Sequence, residues 1–279
     1  MQDTTFNEIA DLALRHTGQA FKASKGYLME ARLRAISRRE SFATLDDLAH
    51  CLKARPNPRF EKEIAAALTG KLTRFFGDRD QMDLIVSHAL PERLKTSTTG
   101  RLRVWCAGAS TGQEAYSLAM RLAELDDSPL SGADIEIIGT DISDACLEAA
   151  TRATYGHYDV QKGLSIHRLM RHFNRLDTGE WDLKDEIRER VSFRRHNLIE
   201  DAGSLGHFDV IICHNVLSGM LAPMQAAAAA NMSAQLLPGG LLFTAKTENL
   251  IGLVDGLNPS RDVRGAFARN NNNGAVAAA

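Results

Sequence analysis

The chain is poor in the features that would place it among stapled, membrane-spanning or nucleic-acid-binding proteins. Only 4 of its 279 residues are cysteine, at positions 51, 106, 146 and 213, with no C-x-x-C spacing. Such scatter excludes a disulfide framework and a thiolate zinc site, so no metal is expected. Cys106 and Cys213 lie in or beside apolar runs, where a thiol behaves as a small buried hydrophobe. No apolar run is long enough to cross a bilayer, and no signal-peptide pattern opens the chain. A basic excess is also missing: the net charge is -2 and the pI about 6.5. That balance argues against nucleic acid as a partner. The chain reads as a reduced, cytoplasmic protein.

An apolar content of 44% is enough for a real core, and 24% charged residues is ordinary. The length suits one α/β domain with a smaller companion. Residues 1–80 show helical periodicity and no convincing strand. Phe6, Ile9, Leu12 and Ala13 share one face. Further helices are expected at about Lys25–Arg39, at Leu45–Leu52 with Thr44 as N-cap, and at Glu61–Leu68 after Pro56 and Pro58. From about residue 81 the rhythm becomes an alternation of helix and strand. Strands are expected at Leu102–Cys106, Ile135–Thr140, Val191–Arg194, Phe208–Cys213 and Leu241–Ala245. The Ala-rich helix Met224–Leu237 should stop at Pro238-Gly-Gly240. This βαβα order predicts a doubly wound, mostly parallel sheet buried on both faces, over residues 81–267.

The chemistry concentrates in Val104-Trp-Cys-Ala-Gly-Ala-Ser-Thr-Gly-Gln-Glu-Ala-Tyr-Ser117. A strand runs through a small-residue loop straight into an amphipathic helix. Gly108 and Gly112 are expected to let backbone approach a ligand, with the helix N-terminus aimed at it. The next strand ends in Asp141, whose carboxylate can take both hydroxyls of a ribose. Strand, Gly loop, helix, strand and acid suit an adenosine-bearing cofactor. Gly108-x-x-x-Gly112 is not G-x-G-x-x-G, and Asp141 comes too late after it for a nicotinamide fingerprint.

Residues 174–190 read as an insertion with a turn at Thr178-Gly179. Trp181 there is either folded back onto the body from a surface loop or part of a small β-subdomain used for docking. Residues 268–279, rich in Asn and Ala, are expected to form a disordered tail.

In combination these motifs resemble the chemotaxis receptor glutamate methyltransferases, the CheR family, over roughly residues 20–250. The family's A-G-x-S-T-G-E-E-x-Y-S is similar to Ala107-Gly-Ala-Ser-Thr-Gly-Gln-Glu-Ala-Tyr-Ser117. Its T-x-N-x-T-x-F-F-R resembles Thr69-Gly-Lys-Leu-Thr-Arg-Phe-Phe-Gly77, and its A-T-D-I resembles Gly139-Thr-Asp-Ile142. The N-L after the third strand is Asn197-Leu198. The F-D-x-I-x-C-R-N-V-L-I-Y-F run is similar to Phe208-Asp-Val-Ile-Ile-Cys-His-Asn-Val-Leu-Ser-Gly-Met220.

The resemblance implies a Rossmann-like S-adenosylmethionine-dependent methyltransferase domain behind a small all-α docking domain. It implies S-adenosylmethionine as cofactor, held by Thr73, Gly108, Gly112, Gln113, Asp141, Asn197, Leu198, His214 and Asn215. The implied substrate is a glutamate of the chemoreceptor cytoplasmic coiled coil, so a monomer would meet the membrane only through the receptor. The implied docking residues are Lys25, Arg32, Arg34, Arg38 and Arg39 on the second helix; Trp181 joins them where the insertion is read as a docking subdomain. No catalytic acid or base is singled out, because a carboxylate nucleophile is already ionised near neutral pH.

Several of the chain's departures from the pattern fall on positions that the family uses at its pocket. Lys71 stands for the family's Asn, Gly77 for its Arg, and Gln113 for the first acid of G-E-E. His214 stands for Arg, and Gly219 for the Tyr that in the family lies against the transferred methyl. The alternative to an enzyme is therefore a methyltransferase fold that acts as a binding or regulatory module.

Overall fold

The computed structural model describes residues 2–70, 73–126 and 128–269. Lys71 and the Asn-rich stretch 270–279 lie outside the described residues. The chain divides into two compact units: Met1–Gly70 with Val216–Gln225, and Lys71–Asn215 with Ala226–Ala279.

In the first unit, four helices follow one another: α1 (Asp3–Thr17), α2 (Gly26–Arg39), α3 (Leu45–Ala54) and α4 (Pro58–Leu68). Their ends are set by local chemistry. α1 stops at Gly18, in the left-handed region at φ 72°, whose N–H donates to the Leu14 carbonyl. Thr44 and Asp47 form a reciprocal capping box at the start of α3. Asn57 caps α4 and Pro58 occupies its first position, so this helix begins three residues earlier than the proline pair suggested. Ile9, Met29, Leu33, Leu48, Ile64 and Leu68 fill the shared core, each Leu or Ile stabilising the unit by about 1.5–3 kcal/mol. A short antiparallel bridge, Gln19 opposite Met220, joins the segment after α1 to residues 216–225.

In the second unit, α5 (Arg79–Leu84) continues through one π-helical turn, Ile85–Ala89, into α6 (Leu90–Thr96). Then come β1 (Arg101–Ala107), α7 (Gln113–Ala123), β2 (Asp134–Asp141) and α8 (Asp144–Arg152). β3 (Thr154–Tyr155), α9 (His157–Gln161), α10 (Ile166–His172), β4 (Phe173–Arg175), β5 (Trp181–Leu183) and α11 (Asp185–Arg188) follow. The unit ends with β6 (Val191–Arg195), β7 (Phe208–Cys213), α12 (Ala222–Ala234), β8 (Leu236–Thr244), β9 (Leu257–Pro259) and β10 (Ala266–Arg269). Four residues of α12 count with the first unit.

The main sheet has the order β6-β2-β1-β7-β8-β10-β9. The first five strands are parallel, and β10 and β9 close the edge antiparallel. Val104, Val210, Ile212 and Phe243 on these strands pack with Ala115, Leu118 and Ala119 of α7 in one core. Strand order reverses between β1 and β7, which marks their carboxyl ends as the ligand crevice of a doubly wound sheet.

β8 begins at Leu236, so Pro238-Gly-Gly240 lies inside the strand and does not end the preceding helix. The ladder to β7 shifts register between Phe208 and Val210, and such a bulge accommodates a proline. Ala268 and Arg269, expected to open the tail, belong to β10.

The insertion is a three-stranded sheet, β3-β5-β4. Trp181 sits in β5 with its side chain buried. The ring therefore builds this small sheet and does not present a docking surface.

Candidate functional site

The loop after β1 is tied to the end of β2. Gly108 and Ala109 both donate their N–H to the Thr140 carbonyl, at 2.9 and 2.8 Å. Ser110 N–H donates to Asp141 Oδ2 and Ser143 N–H to Asp141 Oδ1, each at 2.9 Å. Asp141 thus faces the loop and braces it. Each oxygen of the carboxylate accepts from a backbone N–H of the loop it faces or of its own turn. Tyr155 of the small sheet adds a second brace, its hydroxyl donating to the Thr111 carbonyl at 2.8 Å.

α7 starts directly from this loop. Its N-cap, Gly112, lies in the left-handed region at φ 92° and contributes no side-chain cap. A Cβ at Gly112 would lie 3.0–3.1 Å from Tyr116, Ala150 and Phe193. Such a Cβ would be tight against the protein itself, and the left-handed backbone at this position favours glycine in any case. Gln113 is buried and its Oε1 accepts from Thr111 Oγ1 at 2.8 Å.

Asn197 and Leu198 follow β6. The loop is held to β2 by His196 N–H on the Asp141 carbonyl at 3.1 Å. It is held to α12 by Asn231, whose Nδ2 donates to the carbonyls of Leu198 and Glu200. Thr73 is half-buried in the segment leading to α5. That segment is fastened near α7, where Phe76 N–H donates to Ser117 Oγ at 2.9 Å. Arg74 folds back so that its guanidinium donates to the Gly77 carbonyl at 2.9 Å.

At the carboxyl end of β7, His214 bonds Glu114 of α7 through Nδ1 and Gln81 of α5 through Nε2. Asn215, at φ 60°, donates its N–H to Glu248 Oε2 at 3.0 Å, and Ala245 N–H reaches the same oxygen at 3.3 Å. Burial pushes the Cys106 and Cys213 thiols well up, Glu114 adding to it at both and Glu248 at Cys213. Both stay protonated and are not nucleophiles.

Gln81, Glu114 and Glu248 were not singled out from the sequence. Glu114 had a signal, as the second acid of the Gly-loop motif. Gln81 and Glu248 had none, since only the fold brings them to His214 and Asn215.

The expected docking face on α2 separates into two groups. Arg32 is turned inward, donating to the Leu68 carbonyl at the end of α4. Arg39 is held by Glu63 and Glu40. Lys25, Arg34 and Arg38 are exposed.

The chemistry of this edge fits an adenosyl cofactor. Two buried polar atoms beside Asp141, Ser110 Oγ and His196 Nε2, have no hydrogen-bond partner among the described residues. Burial holds His196 below the ordinary histidine value, Glu200 and Asp201 opposing it, so its ring is neutral near pH 7. No group of three or more His, Cys, Asp or Glu among the described residues is arranged to hold a metal.

Two family models match the chain. "CheR methyltransferase, SAM binding domain" covers residues 71–261 and "CheR methyltransferase, all-alpha domain" covers residues 4–69. The chain belongs to the CheR methyltransferase family. Its relatives include "Chemotaxis protein methyltransferase 1" of Pseudomonas aeruginosa, 33% identical over 85% of this chain and 87% of that one. A second is "Chemotaxis protein methyltransferase Cher2" of Pseudomonas putida, 32% identical over 83% of this chain and 85% of that one. A third is the chemotaxis protein methyltransferase of Vibrio parahaemolyticus, 29% identical over 91% and 92% of the two chains. As a member of the CheR family the chain is an S-adenosylmethionine-dependent methyltransferase. No helix among the described residues is long and apolar enough to cross a membrane.

Proposed function

We propose that this chain methylates glutamate side chains in the cytoplasmic domains of chemoreceptors. The observation that carries the reading is the match of both halves of the chain to the CheR models, with the braced Asp141 loop at the carboxyl edge of the catalytic sheet. In this reading Asp141 holds the ribose, Asn197 and Leu198 border the adenine, and Thr73, Gly108, Gln113, His214 and Asn215 complete the enclosure. The cofactor supplies an electrophilic methyl on a sulfonium. An ionised carboxylate needs no general base to attack it, so the protein contributes alignment and exclusion of water. Exposed Lys25, Arg34 and Arg38 suit an acidic, cytoplasmic partner surface.

The test is incubation with labelled S-adenosylmethionine and receptor cytoplasmic fragments. Base-labile methyl esters on glutamate are expected. Their absence at high enzyme concentration rejects the assignment.

A second reading, a binding module without turnover, is favoured by Gly219 and Gln19. A Cβ built on Gly219 falls within van der Waals overlap of the Gln19 side chain. The position of the family's Tyr is therefore filled by an amide. Micromolar binding of S-adenosylhomocysteine without ester formation would select this reading.

A further inference from the structure

The ring of His214 lies between two hydrogen-bond acceptors. Nδ1 meets Glu114 Oε1 and Nε2 meets Gln81 Oε1. The Gln81 amide cannot be turned round, because its Nε2 already donates to the Thr244 carbonyl at 3.1 Å. Reversal would set two oxygens against each other. A carboxylate accepts only, so both ring nitrogens must donate, and an imidazole with two N–H groups is a cation.

The surroundings agree with a charged ring. Burial works against the charge, but Glu114 on α7, Asp78 ahead of α5 and Glu248 after β8 outweigh it and raise His214 above its ordinary value. The opposing cation nearby, Lys246, is exposed and pairs with Asp78 and Asp80 at 3.6 Å. The neighbouring thiols of Cys106 and Cys213 stay neutral.

We infer that His214 is a positioning residue whose imidazolium clamps Glu114 of α7 to Gln81 of α5, and that cofactor affinity depends on its proton. This rests on the reading that the cofactor lies at the carboxyl ends of β1 and β7. Deprotonation leaves one ring nitrogen as an acceptor facing an acceptor, so one of the two bonds must break. Glu114 belongs to the first turn of α7, directly after the Gly108–Gly112 loop. Its release loosens the helix start on which that loop depends. Arginine at this position keeps its charge at every working pH, whereas histidine makes the clamp conditional.

The test has two parts. Ring 15N shifts of His214 in the unliganded full chain report its protonation. Calorimetric titration with S-adenosylhomocysteine, from about pH 6 to about pH 8.5 across the histidine range, is run on wild type, H214R and H214Q. The expected result is a ring protonated at both nitrogens at the acid end. Wild-type affinity should fall about tenfold as the ring loses its proton. H214R should bind with little pH dependence, and H214Q weakly throughout. A singly protonated ring at the acid end, or parallel profiles for wild type and H214R, overturns the clamp while leaving the cofactor site standing. Absence of binding by all three proteins at every pH overturns the site as well.

Discussion

Gln19 occupies the space that any side chain at position 219 would need. A Cβ on Gly219 would overlap Gln19 Oε1, while Gln19 Nε2 donates to the Val216 carbonyl at 3.0 Å. The backbone of Gly219 is not in the left-handed region, so the amide alone explains the glycine. Gly219→Ala should cost about 1 kcal/mol by expelling that amide from its hydrogen bond. In a Gln19→Ala background the same change should cost almost nothing. A double-mutant cycle by urea denaturation measures the coupling, and additive effects would contradict the relationship.

At Gly112 two costs combine. The backbone sits at φ 92°, and a Cβ would press on Tyr116, Ala150 and Phe193. Gly112→Ala is therefore expected to destabilise the second unit by about 2–3 kcal/mol. Denaturation midpoints check this. A loss below about 0.5 kcal/mol, the range of ordinary surface substitutions, would show that the packing can relax.

Asp141→Asn retains the shape of the acid but replaces one acceptor oxygen by a donor. One of the N–H groups of Ser110 and Ser143 loses its partner, and the site loses its charge. S-adenosylhomocysteine affinity should drop at least about tenfold. Calorimetry reads it directly, and unchanged affinity would remove Asp141 from the site.

Glu124 gives a pH signature unrelated to the candidate site. Burial would raise its carboxyl, but hydrogen bonds from His172 and Arg168 and their charges hold it down at about 2. The folded value lies below the ordinary one, so the associated stability is present above about pH 4.5 and is lost as pH falls toward 2. Glu124→Gln should cost about 2 kcal/mol near neutral pH. The gap to wild type should narrow on acidification. Parallel stability curves between pH 5 and about pH 2.5 would contradict this.

The layout of the catalytic unit was legible because buried parallel strands read as short apolar runs and the Gly loop announces the helix behind it. Asp141 was legible for the same reason, since it ends such a run. Errors arose where one residue type has two uses. Pro58 starts a helix as readily as it ends one, and Pro238 is tolerated at a register shift that no local pattern reveals. Trp181 among charges left two placements open because its cross-strand partners, Tyr155 and Arg175, lie elsewhere in the sequence. Arg32 and Arg39 shared a helical face with Lys25, yet Glu63 and the Leu68 carbonyl, both on α4, claim them. His214 and Gln81 are 133 residues apart, and no periodicity links them.

The depth of the four cysteines has a practical corollary. Cys106, Cys146 and Cys213 are buried, whereas Cys51 on α3 is partly open to solvent. A maleimide fluorophore should therefore label the wild-type chain at one place, in the helical unit. With the tag there, the sulfur atoms along the catalytic strands stay unmodified.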